Sequence, residues 1–180
     1  YLSNFIIPKN FSKVKWSEVM LVAYTDGSTR KNGSPDSTGG FGVCVFDGDK
    51  IVNTYAEQHH GVTNNQMEMM AILWTIVTYH DEVSNGDMII YSDSRYAVNT
   101  FADWMWNWKN NGWTRKGGKP VENLTLVKIY DIITDSGKLP VQLRYIKGHN
   151  GILGNEIADA LATGTRKPET TKGEKINFEL

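Results

Sequence analysis

The chain has 180 residues, 40% apolar and 22% charged, with 19 basic against 20 acidic side chains and a net charge of −1. That suffices for one globular domain with a real core, and the even balance makes the distribution of charge more informative than its sum. No apolar run approaches the ~20 residues a membrane helix needs, and the single cysteine, Cys44, excludes an internal disulfide or a thiolate zinc cluster.

Residues 1–18 show no periodicity and are expected to form an N-terminal extension. They lack the basic flank and full apolar stretch of a signal peptide. Residues 20–25 are a short apolar run, expected as a buried strand that ends at Asp26. Residues 27–40, rich in Gly, Pro, Asn, Asp and Ser, are expected as a loop. Residues 41–46 and 50–57 read as two strands joined by Asp47-Gly48-Asp49. Cys44 lies in the first of these apolar runs and suits packing better than nucleophilic chemistry, which needs an electropositive setting.

Residues 63–79 give the strongest helical pattern. Met70, Leu73, Trp74 and Val77 follow the i, i+3, i+4, i+7 rule, and Thr63 with Gln66 makes a capping-box signature. Residues 87–92 read as a buried strand. Helices are expected over 94–101, 104–111 and 124–133, then a strand over 140–146 and a helix over 155–163. From Gly164 the chain is polar and is expected to be a flexible tail. This order predicts an α/β fold: three strands in an antiparallel meander, with later strands reached through helices and added in parallel. The expected domain spans 19–164, followed by a polar tail over 165–180.

Four acids stand at element edges or on an inward helix face: Asp26, Glu68, Asp93 and Asp159. Each has a bland reading. Asp26 could serve a turn, Asp93 could cap a helix, and Asp159 could be a solvated surface acid. Glu68 is harder to dismiss, because Glu is almost never buried unless paired. Together the four suggest an oxygen-ligand site for hard cations. Clustered carboxylates stay ionised together only when cations neutralise them. His149, in the glycine-flanked run Lys147-Gly148-His149-Asn150-Gly151, suits proton transfer beside such a site.

The stretches YTDGS (24–28), GGFGV (39–43), TNNQMEMMAI (63–72), YSDSRYAVN (91–99), WNWKNNGW (106–113), KPVEN (119–123) and KGHNG…GNEIADALA (147–162) resemble type 1 ribonuclease H. The resemblance implies a ribonuclease H-like fold: a five-stranded mixed sheet flanked by helices. It also implies endonucleolytic cleavage of the RNA strand of an RNA–DNA hybrid, leaving a 5′ phosphate and a 3′ hydroxyl. Asp26, Glu68, Asp93 and Asp159 would hold two Mg²⁺ ions, with Mn²⁺ as a substitute, and His149 would assist proton transfer or product release.

For the substrate, the resemblance places Asn32, Asn64 and Asn65 at the minor groove, where amides can read 2′-hydroxyls, and Thr63 at a DNA phosphate. Trp104, Trp106, Trp108 and Trp113, interleaved with Lys109 and Arg115, fit a handle that grips the hybrid. Their spacing of two is not a helical stripe, so they cannot all share one buried face. Asn110 and Asn111 stand where some relatives carry basic residues, which predicts modest affinity. A monomer in the cytoplasm is expected. The rival readings are the same domain within a reverse transcriptase, a silent hybrid-binding domain, and a transposase-like enzyme of the same broad fold.

Overall fold

The computed structural model describes residues 20–178, so the extension expected over residues 1–18 lies outside them. In chain order, β1 (Leu21–Arg30), β2 (Thr38–Asp47) and β3 (Lys50–His60) lead into α1 (Asn64–Thr78) and the short α2 (His80–Ser84). β4 (Met88–Ser92) follows, then α3 (Arg95–Asn99), a π-helical segment (Thr100–Trp104) and α4 (Met105–Asn110). A two-residue hairpin, β5 (Thr114–Arg115) and β6 (Lys119–Pro120), precedes α5 (Leu124–Ile133), β7 (Gln142–Tyr145) and α6 (Leu153–Ala162). The main sheet runs β3-β2-β1-β4-β7. β1, β2 and β3 are antiparallel neighbours, and β4 and β7 join in parallel. This is the mixed five-stranded sheet expected from the sequence.

α1 is the centre of the molecule. Thr63 caps it as the sequence implies: the Gln66 amide donates to Thr63 Oγ1 at 3.2 Å, and the Thr63 amide donates to Gln66 Oε1 at 2.7 Å. Every residue from Met67 to Ile76 is buried, because β1 and β2 cover one side of the helix and α5 covers another. The expected single apolar stripe was therefore too narrow, and Val77, assigned to it, is 40% exposed. Trp74 stacks on Tyr55 with ring centroids 4.1 Å apart. Truncating a large apolar side chain at such a site typically costs about 2–5 kcal/mol. α6 lies against β1 and β2 and encloses a smaller cluster of Cys44, Ile157 and Leu161. Burial pushes the Cys44 thiol up to about 12, which fits packing rather than reactivity. Among the described residues no helix is long and apolar enough to cross a membrane.

Several boundaries differ from expectation. β1 runs on to Arg30, because residues 27–30 keep antiparallel partners on β2 (Gly27 with Phe41, Arg30 with Thr38). The loop expected over 27–40 shrinks to Lys31–Ser37. The helices expected over 94–101 and 104–111 are one run broken only by the π-helical segment. α2 and the β5–β6 hairpin had no clear sequence signal.

The segment after Gly164, expected to be a flexible tail, docks instead. It lies along β3, the edge strand of the sheet. The Thr54 amide donates to the Glu169 carbonyl at 3.2 Å, and the Glu169 amide donates to Thr54 Oγ1 at 2.6 Å. Asn53 holds the Thr171 amide at 2.9 Å and the Lys172 carbonyl at 2.8 Å. Ile176 and Phe178 then pack on the core. An uncovered strand edge is a template for unwanted pairing. Here most of the cover comes from polar groups, which composition alone reads as solvated.

Candidate active site

The last paired residues of the parallel strands β1 and β4 are Thr25 and Ser92. Asp26 and Asp93 follow directly, where β4 ends and β1 continues against β2. Such a crevice at the carboxyl ends of parallel strands is where open α/β sheets bind ligands. Asp26 is thus mid-strand, opposite Gly42, rather than at the strand end expected from the sequence. Asp93 is not a helix cap either, because Ser94 takes that role by accepting from the Ala97 amide at 3.2 Å.

Glu68 reaches the same point from α1. A β-carbon on Gly27 would collide with the Glu68 backbone nitrogen, so only glycine lets α1 settle this close to β1. Asp26, Glu68 and Asp93 each offer a carboxylate oxygen, and the three oxygens lie within 4.8 Å of one another. Asp26 and Glu68 are 6% and 5% exposed.

Three carboxylates this close cannot all stay ionised without compensation. Burial first, then the charges of Asp93 and Asp159, push Asp26 up to about 8, against a smaller opposing effect of the Gly27 amide. Burial also holds Glu68 well above the usual range, reinforced by Asp26, Asp93 and Asp159. Glu68 Oε2 is buried with no hydrogen-bond partner among the described residues. All-oxygen donors, tight spacing and an orphaned buried oxygen fit a hard divalent cation.

Asp159, the fourth expected ligand, sits half-buried on α6. It is outside the 4.8 Å set but close enough for its charge to raise both Asp26 and Glu68. His149 is exposed, in a left-handed conformation at φ 50°. Its loop passes close to the site one residue earlier, since a β-carbon on Gly148 would collide with Asp93 Oδ2.

Sequence reasoning missed Asn155. Its Nδ2 donates to Asp93 Oδ2 at 3.1 Å, and the residue is 3% exposed. The available signal was spacing: Asn155 and Asp159 stand four apart on α6 and so share a face.

The residues expected at the substrate divide in two. Asn32 Oδ1 accepts from the Asn64 amide at 3.0 Å, which brings the β1–β2 loop onto the start of α1 beside Thr63, Asn64 and Asn65. Trp104 is exposed and lies 6.1 Å from Trp108, one turn along the helix, with Tyr96 edge-on to Trp104. Trp106 points elsewhere, against Gly137, so the tryptophans do occupy different faces. Trp113 is half-buried under Lys128, whose ammonium is 5.7 Å from the ring centre. Lys109, expected at the hybrid, is engaged within the protein. Its ammonium donates to both Asp131 oxygens, at 2.7 and 2.8 Å, and to Ser136 at 2.9 Å. All three of its donors are used inside the protein.

Residues 18–167 match the family model for RNase H. A ribonuclease H from Cyanothece sp. is 35% identical over 149 residues, covering 81% of this chain and 90% of the relative. One from Paracidovorax citrulli is 34% identical over 142 residues, covering 79% and 91%. Among solved structures, LC9-RNase H1, described as a type 1 RNase H with the type 2 active-site motif, has a TM-score of 0.68 at 26% identity, covering 87% of this chain and 78% of that one. A foamy viral protease–reverse transcriptase solved with an RNA/DNA hybrid shares the fold, with a TM-score of 0.68 at 18% identity over 91% of this chain and 22% of that one. On the extent of these matches, the chain belongs to the ribonuclease H family.

Proposed function

We propose that this protein is a metal-dependent endoribonuclease that hydrolyses the RNA strand of RNA–DNA hybrids, leaving a 5′ phosphate and a 3′ hydroxyl. Residues 19–164 form its catalytic domain. One observation carries the reading: Asp26, Glu68 and Asp93 converge from three elements onto one point, in a chain of the ribonuclease H family.

Asp26, Glu68, Asp93 and Asp159 are the residues that would hold divalent cations, Mg²⁺ first and Mn²⁺ as a substitute. When bound, the cations favour the attacking water and offset charge on the leaving 3′ oxygen. His149, exposed and one residue from the contact with Asp93, takes or gives the proton at the water or the leaving oxygen. The Asn32, Asn64 and Asn65 amides at the start of α1 read 2′-hydroxyls, since an amide both donates and accepts. Thr63 meets a phosphate of the DNA strand. Trp104, Trp108 and Trp113 give the hybrid an aromatic platform. Lys109 acts from behind, by bracing α4 against α5 through Asp131.

The test is to incubate the protein with end-labelled RNA–DNA hybrid, duplex RNA and duplex DNA, each with Mg²⁺, Mn²⁺ or chelator. Cleavage confined to the RNA of the hybrid and abolished by chelator supports the reading. Equal cleavage of all three duplexes, or cleavage in chelator, contradicts it.

A further inference from the structure

We infer that Asn155 is a positioning residue for the cation site: by engaging Asp93 Oδ2 it commits the other oxygen of Asp93 to the cation. The inference rests on the proposed reading of the three carboxylates and adds a residue to it. Asn155 stands in the first turn of α6 and is 3% exposed, so its amide is part of the interior. Its Nδ2 donates to Asp93 Oδ2 at 3.1 Å, across 62 residues of sequence. A β-carbon on Gly148, in the His149 loop, would collide with the same Oδ2, so only glycine leaves that oxygen its room. Asp93 Oδ2 is therefore engaged by Asn155, in a space that a side chain at position 148 would take away, and this leaves Oδ1 as the oxygen for the cation.

The other end of the side chain points the same way. Asn155 Oδ1 is a buried acceptor with no partner among the described residues, as is Glu68 Oε2. A buried amide that used only one end would be a poor choice for packing alone. Two buried acceptors without donors suit a site that takes up a hydrated cation, whose waters donate. α6 thus contributes two residues, Asn155 bonded to Asp93 and Asp159, whose charge reaches Asp26 and Glu68. Partners that hydrogen-bond a liganding carboxylate set its orientation, and losing one typically lowers metal affinity about 10–100-fold.

The experiment is Mn²⁺ titration by calorimetry on the full chain without nucleic acid, for the native protein, Asn155→Ala, Asn155→Leu and Asp93→Asn. Leu keeps the buried volume that Ala empties, so one variant remains informative if the other fails to fold. Melting temperature in chelator reports folding separately. The expected result is native binding that Asp93→Asn removes and that both Asn155 variants weaken about tenfold or more. Half-saturating Mg²⁺ for hybrid cleavage should rise in step, with much of the rate recovered at high Mg²⁺. Native affinity in a folded Asn155 variant overturns the inference and leaves the site intact. No binding by the native protein overturns the site itself.

Discussion

The indole Nε1 of Trp74, in the middle of the central helix, donates to the backbone carbonyl of Glu174 at 2.9 Å, across 100 residues of sequence. The helix that carries Glu68 is thus tied to the C-terminal segment. Deleting residues 168–180 strips that bond, the Asn53 and Thr54 bonds, and the packing of Ile176 and Phe178. Leaving a buried donor unpaired typically costs about 1–3 kcal/mol. The truncated protein is expected to melt several degrees lower and to self-associate through the bared edge of β3. Thermal denaturation and light scattering check both, and an unchanged melt would mean the segment is not part of the fold.

Asp93→Asn is expected to abolish hybrid cleavage while leaving the melting temperature within a few degrees of native. Its loss should exceed the roughly 10–100-fold typical of partners that only support a ligand. His149→Ala is expected to slow cleavage without changing Mn²⁺ affinity, because His149 is exposed and absent from the carboxylate cluster. Rate measurements alongside metal titration separate the two.

Much of this site was legible in the sequence because its acids lie next to local signals. Thr63 and Gln66 announced the helix that carries Glu68, and the apolar run 88–91 announced the strand that delivers Asp93. What was hidden depended on distant partners. Asp26 looked like a strand end because Gly27-Ser28-Thr29-Arg30 has turn composition, yet β2 pairs all four residues. Asn155 is a neutral amide whose value lies in one bond to a residue 62 positions away. The docking of the tail was invisible for a similar reason, since side chains of Asn53 and Thr54 satisfy its backbone.

Metal-free stability should fall as pH rises. Asp26 titrates near 8 in the folded state and near the ordinary 3.8 when unfolded. Between those values the folded form holds more protons, so its advantage is complete below about 4 and is lost as pH climbs through 8. Glu68 shifts the same way and adds to the effect. The melting temperature in chelator is expected to drop between about pH 5 and 8, and saturating Mg²⁺ or Asp26→Asn should flatten the drop. A melting temperature that climbs with pH in chelator would contradict the burial of these acids.

Lys109 gives a separate test of the handle. Its ion pair with Asp131 at 2.7 Å is a third exposed on the lysine side, so Lys109→Ala should cost only about 1 kcal/mol. Each phosphate neutralised steepens the salt dependence of binding by roughly 0.9 on a log–log plot. Lys109→Ala is therefore expected to leave the salt slope for hybrid binding unchanged. With Asn110 and Asn111 neutral beside it, the native slope itself should be shallow. A variant slope shallower by about one unit would instead make Lys109 a direct phosphate contact.

Asp26, Glu68 and Asp93 are proposed to hold the catalytic cations together. Anomalous diffraction from crystals of the protein soaked in Mn²⁺ tests it most directly. A Mn²⁺ peak bonded to oxygens of all three carboxylates, lost in Asp93→Asn crystals, is the expected result. A protein that cleaves hybrid in Mn²⁺ yet shows no peak among these residues would contradict it.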